Sequence, residues 1–187
     1  KADFTIGISS GSVCSSVYSF VGAEGLHYLW SKINSLFDVF SFNWRFLSQN
    51  GLLTQKPAER LMSRIVKYKP ICESITCRLN ITTGELDFVS NKNTSPEEFG
   101  RAVLDSFVVP GLVVNNGWTD AGSRLMNPLK QAIDAGCDEI YVILGRPLGF
   151  NDWSMPKKGL GLIQQIKMGQ RAIDISLSEL LMRDITA

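Results

Sequence analysis

The chain has 187 residues, 44% of them hydrophobic, with nineteen basic and eighteen acidic residues and a formal net charge of +1. That length suffices to bury a substantial core in one domain of ordinary size, and the balanced charge, with no long block of either sign, excludes the electrostatic footprint of a nucleic-acid-binding protein. Cys14, Cys72, Cys77 and Cys137 lack the paired spacing of a zinc site and are too sparse for a disulfide scaffold, so a reducing compartment is expected.

No apolar run reaches about 18 residues, and the N-terminus lacks the basic, apolar, small-residue order of a signal peptide, which predicts a soluble chain. The first element is a short strand at Phe4, Thr5 and Ile6. It runs into a glycine-serine turn, and the small and apolar residues of 12–22 then suit a helix packed tightly against its neighbours. Leu26, Leu29, Trp30, Ile33, Leu36 and Phe37 recur at helical spacing and predict a second amphipathic helix. A third starts near Pro57, with Leu61, Met62 and Ile65 facing inward.

Residues 71–79 and 85–90 are extended in character and flank Asn80-Ile81-Thr82-Thr83-Gly84, together a β-hairpin with a glycine-containing loop. Ser95-Pro96-Glu97-Glu98 combines a capping serine, proline at the first helical position and glutamate three residues after the cap. The helix it opens should bury Phe99, Val103 and Leu104 and end before Pro110. Asn127-Pro128 opens another, lined by Leu129, Ala132 and Ile133 and closed by Gly136. Residues 140–144, IYVIL, read as a strand buried on both faces. Residues 148–158 read as a loop and 160–185 as one or two helices. Alternating strands and helices predict a layered α/β domain with helices on both faces of a mixed sheet.

Gly7-Ile8-Ser9-Ser10-Gly11 has the G-x-S-x-G form of a nucleophile elbow. There the glycines allow a sharp turn, and the serine stands exposed beside a helix N-terminus that favours negative charge. The same five residues also suit a tight turn in which Ser10 or Ser12 caps a helix and nothing reacts. A serine nucleophile needs a base, and the single histidine, His27, precedes any acid in chain order and sits among Leu26, Tyr28, Leu29 and Trp30 on a helix leading away from the turn. A carboxylate is the simpler partner. Asp120, in the segment Asn115-Asn116-Gly117-Trp118-Thr119-Asp120-Ala121-Gly122, stands at a joint where α/β sheets expose their ligand crevice. An ordinary turn aspartate would look the same.

Taken in order, these features resemble the patatin-like phospholipase family. IGISSGSVCSSVYSFVG is similar to that family's elbow and following helix, and ITCRLNITTGELDFVSN to its hairpin around a T-G-E turn. FGRAVLDSFVVPG resembles its helix leading to a proline segment, and GWTDAGSRLMNPLKQAIDAGCDEIYVI its aspartate loop, helix and strand. The matched segments run from about residue 4 to residue 146.

The resemblance implies a three-layer α/β/α sandwich with a mixed central sheet, formed as a single domain over residues 1–187. It implies Ser9 as nucleophile and Asp120 as general base, with Gly7, Ser10 and Gly11 shaping the elbow and Gly122 the aspartate loop. The implied activity is phospholipase A-type hydrolysis of carboxylic esters of glycerophospholipids or related lipids, without cofactor or metal. A catalytically inactive binding or regulatory domain and an acyltransferase are the alternative readings. Ala121 follows Asp120 where the family usually has glycine. The family's glycine-rich oxyanion loop lies well before the elbow, whereas this chain begins eight residues before Ser9, so the domain is expected to be incomplete at the N-terminus.

The implied partner is a phospholipid or other lipid ester at a peripheral membrane surface, with an activating protein left open. A cytoplasmic location peripheral to membranes is expected, a secreted effector being the alternative. Trp44, Phe46, Leu47, Leu52 and Leu53, with Phe150, Trp153 and Met155, are apolar residues of irregular segments. They suit either an approach to lipid or the core of folded loops. Lys157-Lys158 suits either anionic headgroups or a solvated turn.

Overall fold

The computed structural model describes residues 2–144, apart from Ser48, Asn50, Pro110 and Asn115. The expectations for residues 148–158 and 160–185, including Phe150, Trp153, Met155 and Lys157-Lys158, lie outside the described residues. Contacts group the chain into two compact units, Lys1–Gly122 and Ser123–Ala187.

In the first unit, β1 (Phe4–Ile8) feeds directly into α1 (Ser10–Lys32). Ser12, Ser16 and Ser19 recur along one stripe of α1 and are fully buried. The small side chains bring the helix close to the sheet: the Ser12 hydroxyl donates to the Gly7 carbonyl at 2.7 Å, and the Thr5 hydroxyl to the Ser15 carbonyl at 3.3 Å. Gly22, at φ 72 and ψ −174, breaks α1 into two segments. The second predicted helix therefore forms, but it stops at Lys32. Leu36 and Phe37 instead lie exposed in a 3-10 turn, Leu36–Asp38, which the Asp38 carboxylate closes by accepting from the Asn34 and Ser35 amides. Local hydrogen bonding ended the helix where apolar spacing predicted that it would continue.

A two-stranded hairpin, β2 (Ser41–Phe42) with β3 (Leu53–Thr54), precedes α2 (Lys56–Ile65), whose Met62 and Ile65 are buried as expected. The predicted hairpin is β4 (Glu73–Asn80) and β5 (Leu86–Ser90). The Asn80 side chain caps its loop by accepting from the Thr82 and Thr83 amides at 2.9 and 3.1 Å. α3 (Pro96–Asp105) starts as the capping pattern predicts, with the Ser95 hydroxyl accepting from the Glu98 amide at 3.2 Å, and it buries Phe99, Val103 and Leu104. Val17 and Phe20 of α1, Met62 and Ile65 of α2, Phe99 and Val103 of α3, and Val89 of β5 join in one core cluster.

β4 is the centre of a mixed sheet. It pairs in parallel with β1, antiparallel with β5, and antiparallel with β6 (Trp118–Asp120). β5 covers Ile75 to Leu79 on one edge, so β1 (opposite Glu73 to Cys77) and β6 (opposite Arg78 to Asn80) share the other edge, end to end. Among the described residues, no helix is long and apolar enough to cross a membrane.

The second unit contributes one described helix, α4 (Leu129–Asp134), closed by Gly136 at φ 75. Ala132 is buried, but Ile133 is 57% exposed and does not line the inner face. The strand expected at 140–144 does not form: these residues are unpaired coil, and Tyr141 and Ile143 are 80% and 94% exposed. An apolar run becomes a strand only against a partner, and no described residue of this unit supplies one.

Candidate active site

The elbow is built by one close approach. A Cβ on Gly7 would lie 2.1 Å from the Gly11 carbonyl oxygen and 2.6 Å from the Ser12 nitrogen, both backbone atoms, so only glycine fits where β1 turns into α1. A Cβ on Gly11 would meet nothing within 4 Å, so the second glycine of the motif carries no comparable steric demand. Between them Ser9 takes φ 57 and ψ −128, and it is the one non-glycine residue with positive φ among those described. A β-carbon in that region is strained. Ser9 immediately precedes α1, and its carbonyl accepts from the Ser12 amide at 2.9 Å, closing the first turn. The Ser9 side chain therefore makes no helix cap and is half-buried at the positive end of the helix dipole. Ser10 is exposed as the first residue of α1.

Asp120 sits at the end of a strand rather than in the loop expected from sequence. Thr119 is buried and its hydroxyl donates to the Val108 carbonyl at 2.8 Å, while the Asp120 amide donates to the same carbonyl at 3.1 Å. Together with the β4 pairing, these bonds make Trp118–Asp120 a short strand, β6. Ile8 stands opposite Cys77, and Asp120 stands opposite the next residue, Arg78. The ends of β1 and β6 therefore converge, which sets the Ser9 hydroxyl close enough to the Asp120 carboxylate to hold its pKa down. The Gly122 amide donates to Asp120 Oδ1 at 2.7 Å. Burial raises the Asp120 carboxyl above its ordinary range, against the opposing effects of the Ser9 and Gly122 hydrogen bonds. A half-buried carboxylate that accepts from a fixed backbone amide and whose proton affinity is raised is the kind of group that accepts a proton. Ala121 is fully buried, so a methyl group is accommodated at this position.

His27 is exposed on the second segment of α1. Cys77, beside the site, is fully buried, and its thiol is pushed up to about 12 by burial, with the Asp87 and Asp120 charges adding to the effect. It is held as an inert thiol.

Arg78 was not singled out from the sequence, although a lone arginine in the apolar alternation ITCRL was the available signal. Its side chain is 11% exposed and pairs with Asp87 at 2.9 Å and Asp105 at 3.0 Å, and its guanidinium lies 4.0 Å from the centre of the Trp118 ring. It ties β5, α3 and β6 to the strand that aligns Ser9 with Asp120. An open cavity of about 460 Å³ lies along this network, lined by Arg78, Arg101, Asp105 and Trp118 among others. Neither Ser9 nor Asp120 lines it, and its polar walls suit water rather than an acyl chain.

No protein-family model matches the chain, and no curated protein matches it.

Proposed function

We propose that this chain is a lipid acyl hydrolase of the patatin-like type, which cleaves carboxylic esters of glycerophospholipids or related lipids through an acyl-enzyme on Ser9. The observation that carries the reading is the convergence of a strained serine at a helix N-terminus with a half-buried carboxylate whose proton affinity is raised. Structural serines cap helices in relaxed backbone conformations. A serine held in a strained one, beside a carboxylate and with no cap bond of its own, has the form of an activated nucleophile.

In this mechanism Asp120 takes the Ser9 proton as Oγ attacks the ester carbonyl. The tetrahedral intermediate then collapses, breaking the bond to the alcohol, which leaves with the proton from Asp120. Water next attacks the acyl-enzyme, giving its proton to Asp120, and the fatty acid leaves as Ser9 regains that proton. The Gly122 amide keeps the carboxylate aimed at Ser9 throughout. The proposal extends to the fold as a three-layer sandwich. Support for it comes from α1, α2 and α3 joining one cluster with Val89, while Ile6, Ile8 and Cys77 fall by strand alternation on the opposite face.

Fluorophosphonate labelling of the intact protein tests the reading. An adduct on Ser9, lost in Ser9→Ala and strongly reduced in Asp120→Asn, is expected, with His27→Ala labelled like the wild type. An unlabelled Ser9 in folded protein, or a dead His27→Ala variant, would overturn the dyad. Product analysis with an added alcohol separates hydrolysis from acyl transfer.

A further inference from the structure

We propose that the chain docks on anionic phospholipid bilayers through the tip of the β2–β3 hairpin and the outward face of α2. The identity of the surface rests on the lipid-ester reading; the shape and charge of the patch do not.

Trp44 and Leu47, between β2 and β3, are 86% and 90% exposed. Phe42 and Phe46 are less exposed, and Phe42 lies edge-on to Trp44 at 4.8 Å and to Phe46 at 6.1 Å between ring centres. This wedge is braced from within. The buried Asn43 side chain donates to the Gly51 carbonyl at 2.9 Å and accepts from the Arg45 amide at 3.0 Å. The Leu52 and Leu53 amides both donate to the Leu112 carbonyl at 2.8 Å. Leu53 is buried with Val108 and Val113, on the segment that runs on to Asp120. Of the five hairpin residues that suited either lipid contact or a loop core, Leu53 belongs to the core and Trp44 and Leu47 face outward. Rigid aromatic rings with little entropy left to lose are suited to the boundary between water and hydrocarbon.

The next element supplies the charge. Lys56, Arg60 and Arg64 follow at helical spacing on the side of α2 away from Met62 and Ile65, and Lys67 and Lys69 come directly after, all exposed. Glu59 is the one acid from residue 56 to residue 69. Among the described residues, Lys56, Arg60, Arg64 and Lys67 make no ion pair. A nearly neutral chain has thus gathered five cations within fourteen residues, directly after an exposed aromatic wedge. An exposed apolar wedge followed in the chain by a cationic stripe complements an anionic lipid surface. A second copy of the same patch would instead be repelled by these charges.

The test uses the full chain carrying Ser9→Ala, so that vesicles stay intact, in sedimentation with vesicles of phosphatidylcholine alone or mixed with phosphatidylserine. Binding should favour the anionic vesicles, weaken with salt, and shift tryptophan emission to the blue. Arg60→Gln with Arg64→Gln should lower partitioning about twenty-five-fold, at roughly fivefold per cation. Trp44→Ser with Leu47→Ser should lower it about a hundredfold, at roughly tenfold per inserted large side chain, and both pairs are on the surface and should keep the wild-type melting temperature. No anionic preference, unchanged partitioning in either pair, or loss of a dimer in place of loss of vesicle binding would overturn the proposal. Wild-type turnover of a water-soluble ester reads the Ser9 chemistry separately. Vesicle binding without that turnover would sink the hydrolase and leave docking standing; turnover without binding would do the reverse.

Discussion

Ser9 and Asp120 meet because β4 acts as a ruler: it pairs Ile8 with Cys77 and Asp120 with Arg78, bringing the ends of two strands to consecutive positions on one edge. The dyad's geometry therefore depends on register, on the turn at Ser9 and on what keeps β4 in place.

The strain at Ser9 can be separated from its chemistry. Glycine tolerates φ 57 and alanine does not. Ser9→Gly should be more stable than Ser9→Ala by about 1 kcal/mol, part of the roughly 1–3 kcal/mol such conformations cost, while both lose ester hydrolysis. Urea unfolding with paired activity assays measures this. Equal stability would mean that the turn relaxes without strain.

The two glycines of the elbow should behave in opposite ways. Gly7→Ala forces backbone against backbone and should cost roughly 1–3 kcal/mol, with loss of Ser9 labelling as the turn shifts. Gly11→Ala enters open space in the first turn of α1 and should be neutral or stabilising by up to about 1 kcal/mol. Thermal melts of the two variants decide it, and an equally damaging Gly11→Ala would show that the motif's second glycine is needed for a reason other than space.

The pH dependence follows from Asp120. Its folded carboxyl lies above the ordinary range because of burial, so the acid limb of kcat/KM should fall at a higher pH than an exposed carboxylate would give, and His27→Ala should leave that limb unmoved. The stability effect has the opposite sign from a salt-bridged aspartate. In the window between the unfolded and the raised folded pKa the native state binds more protons, so this group's contribution to stability falls as pH rises and is lowest above the window. Asp120→Asn, which keeps an oxygen for the Ser9 and Gly122 donors, should raise the melting temperature at neutral pH, with the gain vanishing in acid. A neutral-pH loss of stability would contradict the assignment of burial as the dominant cause.

Arg78 should be a positioning residue. Arg78→Met leaves Asp105 buried without its partner; burial already raises that carboxyl despite the guanidinium. A cost of about 3–5 kcal/mol is expected, typical of removing one partner from a buried pair, and it should shrink on adding Asp105→Asn. Turnover should fall through kcat as β6 loosens. A double-mutant cycle by urea unfolding, alongside kinetics on a soluble ester, tests both parts; additive losses would deny the coupling.

Much of the local structure was legible beforehand because it is written in short-range chemistry. Ser95 and Pro96 carry the pattern of a helix start, the extended runs around Thr83-Gly84 read as a hairpin, and the small residues of α1 suit tight packing. Where the reading failed, the missing information was non-local. Residues 140–144 are apolar enough for a strand, but strand formation belongs to the pair, and Leu36 and Phe37 kept helical spacing past a point where Asp38 captures the backbone. Asp120 was read as part of a loop because nothing within eight residues announces that Val108 and β4 will draw it into a sheet edge.

By itself, the sequence marked Ser9 and Asp120 as the candidates to react and counted against a histidine triad, since its one histidine, His27, lies on a helix leading away from the turn. Only the tertiary structure decided that Gly7 rather than Gly11 makes room for the turn, that Ser9 is strained, and that Asp120 is half-buried at the strand end that converges on it. Reactivity resides in side-chain identity, whereas strain, desolvation and register arise from atoms distant in the chain and exist only once those atoms are packed together.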